Sequence, residues 1–530
     1  MKLSPETSNN KDENLSDVID SLKSDITKKD IVLLEKNNQI NLLLEQIQIL
    51  KAARFGKKTE KYSEDQLGLF DEAEVESSEK EPEDELETVT ITRKKKPARK
   101  PLPKSLPYIE KIHDLADDEK QCSCGCELTH IGDERSEQLD VVPQLTYRII
   151  NIKKKYACKN TKCLDTIKTT PAPKQPIPKS IASPGLLASV ITSKFNYHMP
   201  LYRQEDMYNR ANIDITRGTL SEWVIKSAAL LSPIVKLLHD NILNYDISYA
   251  DETKLRVLNQ NKQKTEKLAY MWLFGGGKPG EECFVYQYHS GRSHQIAYDF
   301  FEDYKGYIHA DCYAAYINLG LLPLIIHIAC MAHARRYFMD VVKSTKNGNG
   351  LAKQAIKWFR KLYDIEKKLK EDEASTNQIY KKRQSESAKI LAEFKVWLDD
   401  NQEKVPPKSA IGKAFAYSIK HWDSLIKYID DGRLEIDNNR SERAIKPFVI
   451  GRKNWLFHYN DLGAEAGATL YSLIETCKAH NVDVFSYFKY ALTEIVHCKT
   501  VEDLEKLLPF NCPKDKLEDQ RAIPYLTYPE

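Results

Sequence analysis

The chain is organised around Leu434-Glu-Ile-Asp-Asn-Asn-Arg-Ser-Glu-Arg-Ala-Ile-Lys-Pro447 and the Gly451-Arg-Lys-Asn-Trp-Leu-Phe457 that follows it. Asn439, Ser441 and Glu442 are typical of a helix start, where Glu442 also occupies the place of a capping-box glutamate. Residues three and four apart share a helix face, so the Glu442 carboxylate would stand among cations. It either pairs with those cations or binds a metal while they hold an anion.

Two aspartates far upstream favour the metal interpretation. Asp251 interrupts the alternating run at 247–257, on its apolar face, where an unpaired carboxylate is costly. Glu252 falls on the polar face and is expected to be a solvated charge. Asp311 ends the apolar run at 306–310, although a turn aspartate at a strand end is a simpler explanation. Three acids on three separate elements can assemble a two-metal phosphoryl-transfer site, and oxygen ligands select Mg²⁺ or Mn²⁺.

The pattern around these acids predicts a sheet. In chain order it predicts strands at 247–257, 268–274 and 283–288, a helix at 294–301, strands at 306–311 and 324–330, and a helix from 331. This order is typical of a ribonuclease-H-like α/β core, with both aspartates near its centre. Residues 343–431 are charged and helical in pattern, broken at Pro406-Pro407, and predict an all-helical insertion before the third acid.

Chain length, net charge and the longest apolar runs limit the number of domains and the kinds of partner that the protein can have. A chain of 530 residues is expected to hold three to five units. The net charge of +2 means that any affinity for nucleic acid must come from local patches. The N-terminus is polar, and no apolar run approaches the roughly 20 residues of a membrane helix. We therefore expect a cytoplasmic protein with no membrane partner.

The N-terminal region predicts a coiled coil. Its seam positions alternate in steps of three and four. Lys29 and Lys36 occupy two of them, and the others are apolar: Ile19, Leu22, Ile26, Leu33, Ile40, Leu43, Ile47 and Leu50. This heptad seam favours a homo-oligomer, although one amphipathic helix packed on its own protein shows similar spacing. An acidic block at 71–87 and a basic, proline-rich block at 93–104 are typical of a charged linker.

Five cysteines crowd one short region and predict a Zn²⁺-binding, zinc-finger-like module. They are Cys122, Cys124, Cys126, Cys158 and Cys163. Two cysteine pairs about 30 residues apart, around a strand-like segment at 147–152, suit tetrahedral zinc. The spacing leaves open which of Cys124 and Cys126 is a ligand.

Three helices are predicted between this module and the first acid, at 186–195, at 202–209 and from a threonine cap at Thr216. They form either a helix-turn-helix-like DNA-binding region or a plain helical hairpin.

The whole is a multidomain α+β protein. Its predicted segments are a helix or coiled coil at 1–52, a charged linker at 53–104, a zinc-finger-like DNA-binding module at 105–170, a helix-turn-helix-like region at 171–240, the first segment of the ribonuclease-H-like core at 241–342, the helical insertion at 343–430, the second segment of that core at 431–480, and a C-terminal helix and tail at 481–530.

Ten stretches together resemble the large, TnpC-type transposases of insertion-sequence family sixty-six. They are the leucine-rich helix leading to Arg54-Phe-Gly-Lys-Lys-Thr-Glu60, Gly68-Leu-Phe-Asp-Glu72, the cysteine module, Met199-Pro-Leu-Tyr-Arg-Gln204, Asp251-Glu-Thr253, Asp311-Cys-Tyr-Ala-Ala-Tyr316, Cys330-Met-Ala-His-Ala-Arg-Arg336, Asp437-Asn-Asn-Arg-Ser-Glu-Arg443, Gly451-Arg-Lys-Asn-Trp-Leu-Phe457 and Tyr471-Ser-Leu-Ile-Glu-Thr476. Each is weak alone, but their order is specific.

The resemblance implies a bacterial DDE transposase, at work on the nucleoid, that cuts and joins DNA. Asp251, Asp311 and Glu442 correspond to its three acids, and Cys330 with His333 resembles a Cys-x-x-His element of related transposases. The two metal ions at the acids would be Mg²⁺ or Mn²⁺, and the DNA partners would be the element's terminal repeats and the target. Small accessory proteins of the same element are further partners that the resemblance implies.

Cations near the acids predict DNA contacts. Arg440, Arg443, Lys446, Arg452 and Lys453 would neutralise phosphates, and His333, Arg335 and Arg336 would orient DNA or simply pack. Trp455 is expected in a core rather than stacked on a base. Glu475 is the alternative third acid. The alternative functions are a catalytically silent DNA-binding, assembly or regulatory protein on the same fold, and a simple nuclease.

Overall fold

The computed structural model describes residues 173–258, 266–344 and 350–519, together with short segments at 21–30, 32–33, 36, 146–147, 149, 151, 155–157 and 167–169. The chain divides into two compact units. One unit contains the described chain from Gln175 onward, and the other contains a small hairpin within residues 82–174.

The hairpin pairs β1 (Lys155–Ala157) antiparallel to β2 (Ile167–Thr169). Residues 147, 149 and 151, the described positions of the strand predicted at 147–152, lie outside any strand. The five cysteines fall outside the described residues. Near the N-terminus, residues 21–30 are helical, as the heptad pattern predicts, and Leu22 and Ile26 are exposed there.

Three helices between Pro184 and Leu243 precede the sheet, close to their predicted positions. They are α1 (Pro184–Ile191), continued by a π-helical turn at Thr192–Asn196, α2 (Leu201–Arg210) and α3 (Arg217–Leu243). The Thr216 side chain accepts a hydrogen bond from the Thr219 amide and so caps α3 as expected. The 27-residue α3 packs along β5 and α13, which are bounded below. Helix α3 is therefore a core helix over most of its length.

A five-stranded mixed sheet forms the centre of the large unit. Its strands and intervening helices are β3 (Ile247–Leu258), β4 (Glu266–Gly276), β5 (Cys283–His289), α4 (His294–Phe300), β6 (Gly306–Ala310), α5 (Ala314–Leu319) and β7 (Ile325–Ala329). The strand order is β5-β4-β3-β6-β7. The β3–β4 and β4–β5 pairs are antiparallel, whereas β3–β6 and β6–β7 are parallel.

Glycine permits the central parallel pairing. Gly306 begins β6 with φ 137°, and a Cβ there would collide with the backbone of Asp246, just before β3. The amide of Tyr307 donates to the Asp246 carbonyl at 2.9 Å. Only glycine therefore lets β6 approach β3 closely enough to pair with it.

The predicted insertion is helical and has a core of its own. It contains α6 (Met331–Ser344), which starts before it, α7 (Leu351–Glu371), α8 (Thr376–Lys382) with a π-helical turn at Arg383–Ser387, α9 (Ala388–Gln402), α10 (Ala410–Lys420), α11 (Trp422–Ile426) and a 3₁₀ turn at Lys427–Asp430. The break expected at Pro406-Pro407 separates α9 from α10. Phe338, Phe359 and Phe394 lie in this core, which also includes Ile328 of β7.

The C-terminal helices return to the sheet. They are α12 (Asn439–Trp455), α13 (Asp461–Ala479), α14 (Val484–Glu494) with a 3₁₀ turn at Ile495–His497, α15 (Val501–Glu505) and α16 (Lys514–Asp519). Among the described residues, no helix combines the length and the apolarity that a membrane crossing requires.

Helix α13 covers the outer edge of β5. The Ser472 hydroxyl accepts from the Tyr286 amide at 2.8 Å, and the Thr476 hydroxyl accepts from the Phe284 amide at 3.0 Å. These hydroxyls satisfy two amides that the edge strand cannot pair with another strand. The helix therefore closes that edge of the sheet.

Candidate functional site

Strand pairing brings Asp251 and Asp311 together. Asp251 lies in β3, and Asp311 directly follows β6. The parallel register pairs Tyr249 with His309, and two further steps along both strands reach the two aspartates. Neighbouring strands lie about 4.8 Å apart, so the carboxylates project from adjacent positions at the same end of the sheet.

Helix α12 brings Glu442 to the same place. Asn438 is the N-terminal flanking residue of this helix, and its side chain donates to the Ala250 carbonyl at 2.9 Å. That hydrogen bond joins the start of α12 to the residue before Asp251. The residues before the helix are also fixed to the end of β7, because the Met331 amide donates to the Ile436 carbonyl at 3.1 Å.

The capping-box explanation for Glu442 is wrong. The helix begins one residue earlier than the pattern indicated, with Asn438 rather than Asn439 in the capping position and no side-chain capping hydrogen bond. Ser441, not Glu442, occupies the third helical position, and its hydroxyl bonds to the Asn438 side chain at 2.5 Å. A contact other than a capping hydrogen bond must explain why a glutamate occupies position 442.

The three carboxylates interact electrostatically. Burial raises the pKa of Asp251 well above its usual value, and the nearby charges of Glu252, Glu442 and Asp311 raise it further. Glu475 lies elsewhere: its carboxylate pairs with Lys478 of its own helix at 2.9 Å. The structure therefore groups Glu442, and not Glu475, with the two aspartates.

Glu252 is a member of this group that the sequence interpretation missed. Its side chain is only 4% exposed, so the expectation of a solvated charge is wrong. The Tyr316 hydroxyl donates to it at 2.6 Å, and Arg292 forms an ion pair with it. Tyr316 belongs to α5, which covers the face of β3 that the alternating pattern assigned to solvent. Burial and Asp311 raise the pKa of Glu252, whereas Tyr316 and Arg292 lower it.

The Glu442 carboxylate is surrounded by groups from the start of α6. His333 Nδ1 lies 3.9 Å and an Arg336 guanidinium nitrogen lies 3.6 Å from Glu442 Oε1. Burial, followed by Arg336, lowers the pKa of His333 to about 4, so its imidazole is neutral at pH 7. The Sγ of Cys330 completes a cluster in which one ligand atom from each of Cys330, His333 and Glu442 lies within 4.8 Å of the others.

Asp437 supports the start of α12 from beneath. It is buried and accepts a hydrogen bond from the Asn439 amide at 3.2 Å. Burial, followed by the charge of Glu435, raises its pKa to about 7.

The predicted phosphate-binding cations differ in exposure. Arg335 is buried, and Arg440 is 12% exposed, paired with Glu435 at 2.7 Å. Arg452 donates to the Thr253 hydroxyl at 3.2 Å, two residues after Asp251. Those with exposed or half-exposed side chains are His333, Arg336, Arg443, Lys446, Arg452 and Lys453.

Trp455 packs in a core, as expected. Its ring lies 6.2 Å from Phe195 and 6.4 Å from Tyr471, and the ammonium of Lys194 lies 5.0 Å above it. These contacts join the C-terminal end of α12 to the π-helical turn after α1.

The donor set fits a hard divalent cation. Neighbouring carboxylates repel one another, and burial, followed by this repulsion, raises the pKa of Asp251. A bound cation would remove it, and oxygen-only ligands select magnesium-class ions. Without a cation, this group of closely spaced carboxylates lowers the stability of the folded protein.

Family models match four segments of the chain. "Transposase IS66 family" matches residues 179–466, which is more than half of the chain, and "IS66 C-terminal element" matches residues 472–510. "Transposase C of IS166 homeodomain" matches residues 42–110, and "zinc-finger binding domain of transposase IS66" matches residues 119–160. The zinc-finger match includes four of the five clustered cysteines and supports a zinc-binding module; Cys163 lies beyond it.

Similar proteins come from Sinorhizobium fredii. The uncharacterized protein y4jD is 32% identical over 430 residues, which cover 78% of this chain and 82% of that protein. The uncharacterized protein y4qI is 30% identical over 503 residues, with 91% and 90% covered. Because the family model matches more than half of its length, the chain belongs to the IS66 family of transposases.

Proposed function

We propose that this protein is a DDE transposase that binds the ends of its element, cleaves them and joins them to target DNA. The observation that carries the proposal is the electrostatic grouping of Asp251, Asp311 and Glu442, which come from a strand, a strand end and a helix. The strand order is β5-β4-β3-β6-β7, and β4 runs opposite to the other four strands. This arrangement supports a ribonuclease-H-like core interrupted by the helical insertion.

The three acids are proposed to hold two Mg²⁺ or Mn²⁺ ions. Such ions activate water and stabilise the leaving 3′ oxygen of a phosphodiester. Asp251 and Asp311 hold their positions through strand pairing, and Glu442 holds its position through the Asn438–Ala250 hydrogen bond. The 3′-OH freed by this hydrolysis would then attack a phosphodiester of the target DNA in a transesterification that displaces the target's 3′ oxygen, with no covalent protein intermediate.

The exposed cations are proposed to guide DNA to these acids. Arg443 and Lys453 are exposed on α12, and Arg336 is 42% exposed at the start of α6. They would neutralise phosphates, which positions DNA without selecting sequence. Arg335 and Arg440 are buried or paired within the protein, so a structural role suits them better.

The remaining modules are proposed to recognise and pair DNA ends. The five clustered cysteines supply the zinc ligands, the helices after them form the DNA-binding region, and the heptad helix joins copies of the chain. The segment boundaries predicted from the sequence, small accessory proteins of the same element and a nucleoid location belong to the same proposal.

Strand-transfer assays on the purified full chain with Mg²⁺ and element-end DNA test the proposal. The natural chain should cleave and join, and Asp251→Asn, Asp311→Asn and Glu442→Gln should each lose about a thousandfold or more, since a metal ion supplies several kcal/mol to the transition state. Glu475→Gln is the matched control, a buried acid outside the group, and should retain activity.

Other outcomes separate the competing functions. DNA binding without cleavage by the natural chain would favour a catalytically silent assembly or regulatory protein. Hydrolysis without joining would favour a nuclease. Loss of activity in Glu475→Gln with activity kept in Glu442→Gln would overturn the assignment of the third acid.

A further inference from the structure

We propose that Cys330, His333 and Glu442 form a separate site for a zinc-class transition metal, and that an ion bound there withdraws Glu442 from the acid group. The binding site itself is independent of the proposed function; only the inhibition that follows from it depends on DNA cleavage by the three acids.

The first argument is the convergence of three different donors. A thiol sulfur, an imidazole nitrogen and a carboxylate oxygen lie within 4.8 Å of one another, and the three residues come from two separate elements. Nδ1 of His333 is shielded from solvent, makes no hydrogen bond and lies 3.9 Å from Glu442 Oε1. A buried ring nitrogen without a hydrogen-bond partner is costly, and coordination of a metal would remove that cost.

The second argument is the type of donor. Thiolate and imidazole ligands select zinc and related ions, whereas the neighbouring acid group offers only carboxylate oxygens. Glu442 belongs to both sets. A soft site and a hard site therefore share one side chain.

The third argument is that the ligand positions are fixed. The Cys330 amide donates to the Ala310 carbonyl at 3.0 Å, and its carbonyl accepts from the His333 amide at 3.2 Å. The Asn438 amide donates to the Cys330 sulfur at 3.2 Å, the kind of outer hydrogen bond that orients a metal ligand. Zinc bonds of about 2.0–2.3 Å require ligand atoms roughly 3.5 Å apart, so side-chain shifts of about 1 Å would suffice.

An ion can reach this site from one side. Cys330 is fully buried, whereas 26% of the His333 side chain is exposed. Three protein ligands leave a fourth tetrahedral position for water. Binding converts the Cys330 thiol to a thiolate, whose proton passes to solvent.

The consequence is inhibition by zinc. A carboxylate bound to zinc beside Cys330 and His333 is no longer available to the ions held by Asp251 and Asp311. Zinc at low concentration should therefore reduce Mg²⁺-supported cleavage without any change in the acids themselves.

Metal counting on the full chain tests the site. The proteins are equilibrated with buffered Zn²⁺ and dialysed. Cys330→Ser and His333→Ala should then each contain one zinc ion fewer than the natural chain. Loss of an outer hydrogen-bond partner lowers metal affinity roughly 10- to 100-fold, and loss of a ligand should lower it at least as much. Cys498→Ser, a half-buried cysteine far along the chain, should contain the natural number. Equal zinc content in the natural chain and both cluster variants would overturn the proposal.

A second measurement guards against misfolding and separates the two proposals. When Co²⁺ replaces zinc, Cys330→Ser should show less thiolate-to-metal absorption than the natural chain. Circular dichroism should show whether each variant is folded. If Cys330→Ser is unfolded, His333→Ala, at a partly exposed position, becomes the test variant. Asp251→Asn should retain the extra ion while losing cleavage. Extra zinc in a natural chain that never cleaves DNA would leave the site standing and remove the proposed function.

Inhibition is measured as each protein's cleavage rate with Zn²⁺ divided by its own rate without it. This ratio should fall about tenfold or more in the natural chain and stay near one in Cys330→Ser. An equal fall in both proteins would show that zinc acts elsewhere, and the claim that it withdraws Glu442 would be wrong.

Discussion

Asp251, which is half-buried, and Asp437, which is buried, are carboxylates whose charged form is disfavoured in the folded protein. Burial raises the pKa of both, and neighbouring carboxylates raise it further: Glu252, Glu442 and Asp311 for Asp251, and Glu435 for Asp437. Such groups lower stability at neutral pH, and they concentrate at functional sites where charge density is required. The two aspartates differ in position, because Asp251 lies in the acid group and Asp437 lies beneath the start of α12.

Replacement of Asp437 by Asn should raise stability at pH 8 and flatten its dependence on pH. The pKa of Asp437 is about 7 in the folded protein and 3.8 for an ordinary aspartate, so between these values the folded state holds a proton that the unfolded state has lost. Stability therefore falls as pH rises from about 4 to 7, by at most about 4 kcal/mol from this group.

Urea unfolding from pH 4.5 to 8, with a chelator present, measures this effect. Asp423→Asn, at an exposed position in α11, should keep the natural pH dependence. The charges facing Asp437 include Glu435 and Glu442, with the Tyr363 hydroxyl and the Asn439 amide as hydrogen-bond donors. An Asp437→Asn profile parallel to the natural one would contradict the prediction.

Helix α12 is positioned by polar contacts as well as by packing. The Asn438 side chain joins it to β3, the Asn438 amide reaches the Cys330 sulfur, and Arg452 reaches Thr253 further along the same strand. At the far edge of the sheet, the hydroxyls of Ser472 and Thr476 cover the free amides of β5. Tyr471-Ser-Leu-Ile-Glu-Thr476, one of the stretches that resembles the family, thus has a structural explanation.

Asn438→Ala should lower stability by about 1–3 kcal/mol, because it leaves the buried Ala250 carbonyl without its partner. It should also slow cleavage at saturating DNA, since Glu442 loses the contact that aligns it with Asp251. Urea unfolding and single-turnover cleavage measure the two effects.

Asn241→Ala is the matched control for this variant. Its side chain donates to a carbonyl within its own helix at 2.8 Å, far from the acids. The control should lose some stability and keep its cleavage rate. Equal cleavage by Asn438→Ala and the control would show that the hydrogen bond does not align the site.

The large unit has two hydrophobic cores that meet at the sheet. One lies around β3, β4, β5 and the helices that pack on them, and the other joins the helical insertion to β7 and α6. The insertion is therefore part of the fold that carries Asp311 and His333. Removal of its core should disturb the acid group as well as the insertion.

Phe394→Ala should lower stability by about 3–5 kcal/mol, the usual cost of emptying a buried aromatic site. The Phe394 ring contacts Phe359 at 5.2 Å and Trp422 at 5.7 Å between centroids, and its side chain is 1% exposed. Val396→Ala, 60% exposed on the same helix, should change stability by less than about 0.5 kcal/mol. Thermal unfolding measures both, and similar losses would contradict a separate core in the insertion.

The triple variant Leu22→Ser, Ile26→Ser and Leu33→Ser should form smaller oligomers, with a lower molar mass in solution, than the natural protein. These side chains are 56–59% exposed on the N-terminal helix, and a heptad seam buries such residues only against a partner helix. Light scattering measures the mass, and serine at Asp25 and Lys28, off the seam, is the control. An unchanged mass in the seam variant would contradict the coiled coil.

The sequence by itself determined most of the elements and the family to which the chain belongs. Alternation around Asp251, the apolar run before Asp311 and the helix carrying Glu442 were all visible, because hydrophobic period and local caps act over a few residues. The break at Pro406-Pro407 and the Thr216 cap were predictable for the same reason. Family resemblance selected these three acids among 77 acidic residues.

Tertiary structure alone decided which groups meet. The alternating pattern predicted that Glu252 is a surface charge. In the structure, α5 covers that face of β3, and the Glu252 side chain is buried against Tyr316. The hydrogen bond from Asn438, the residue before α12, to Ala250 and the meeting of Cys330 with Glu442 join segments more than 100 residues apart. Contacts at such separation leave no trace in local periodicity, because folding of the whole unit, and not the chain's local preference, brings them together.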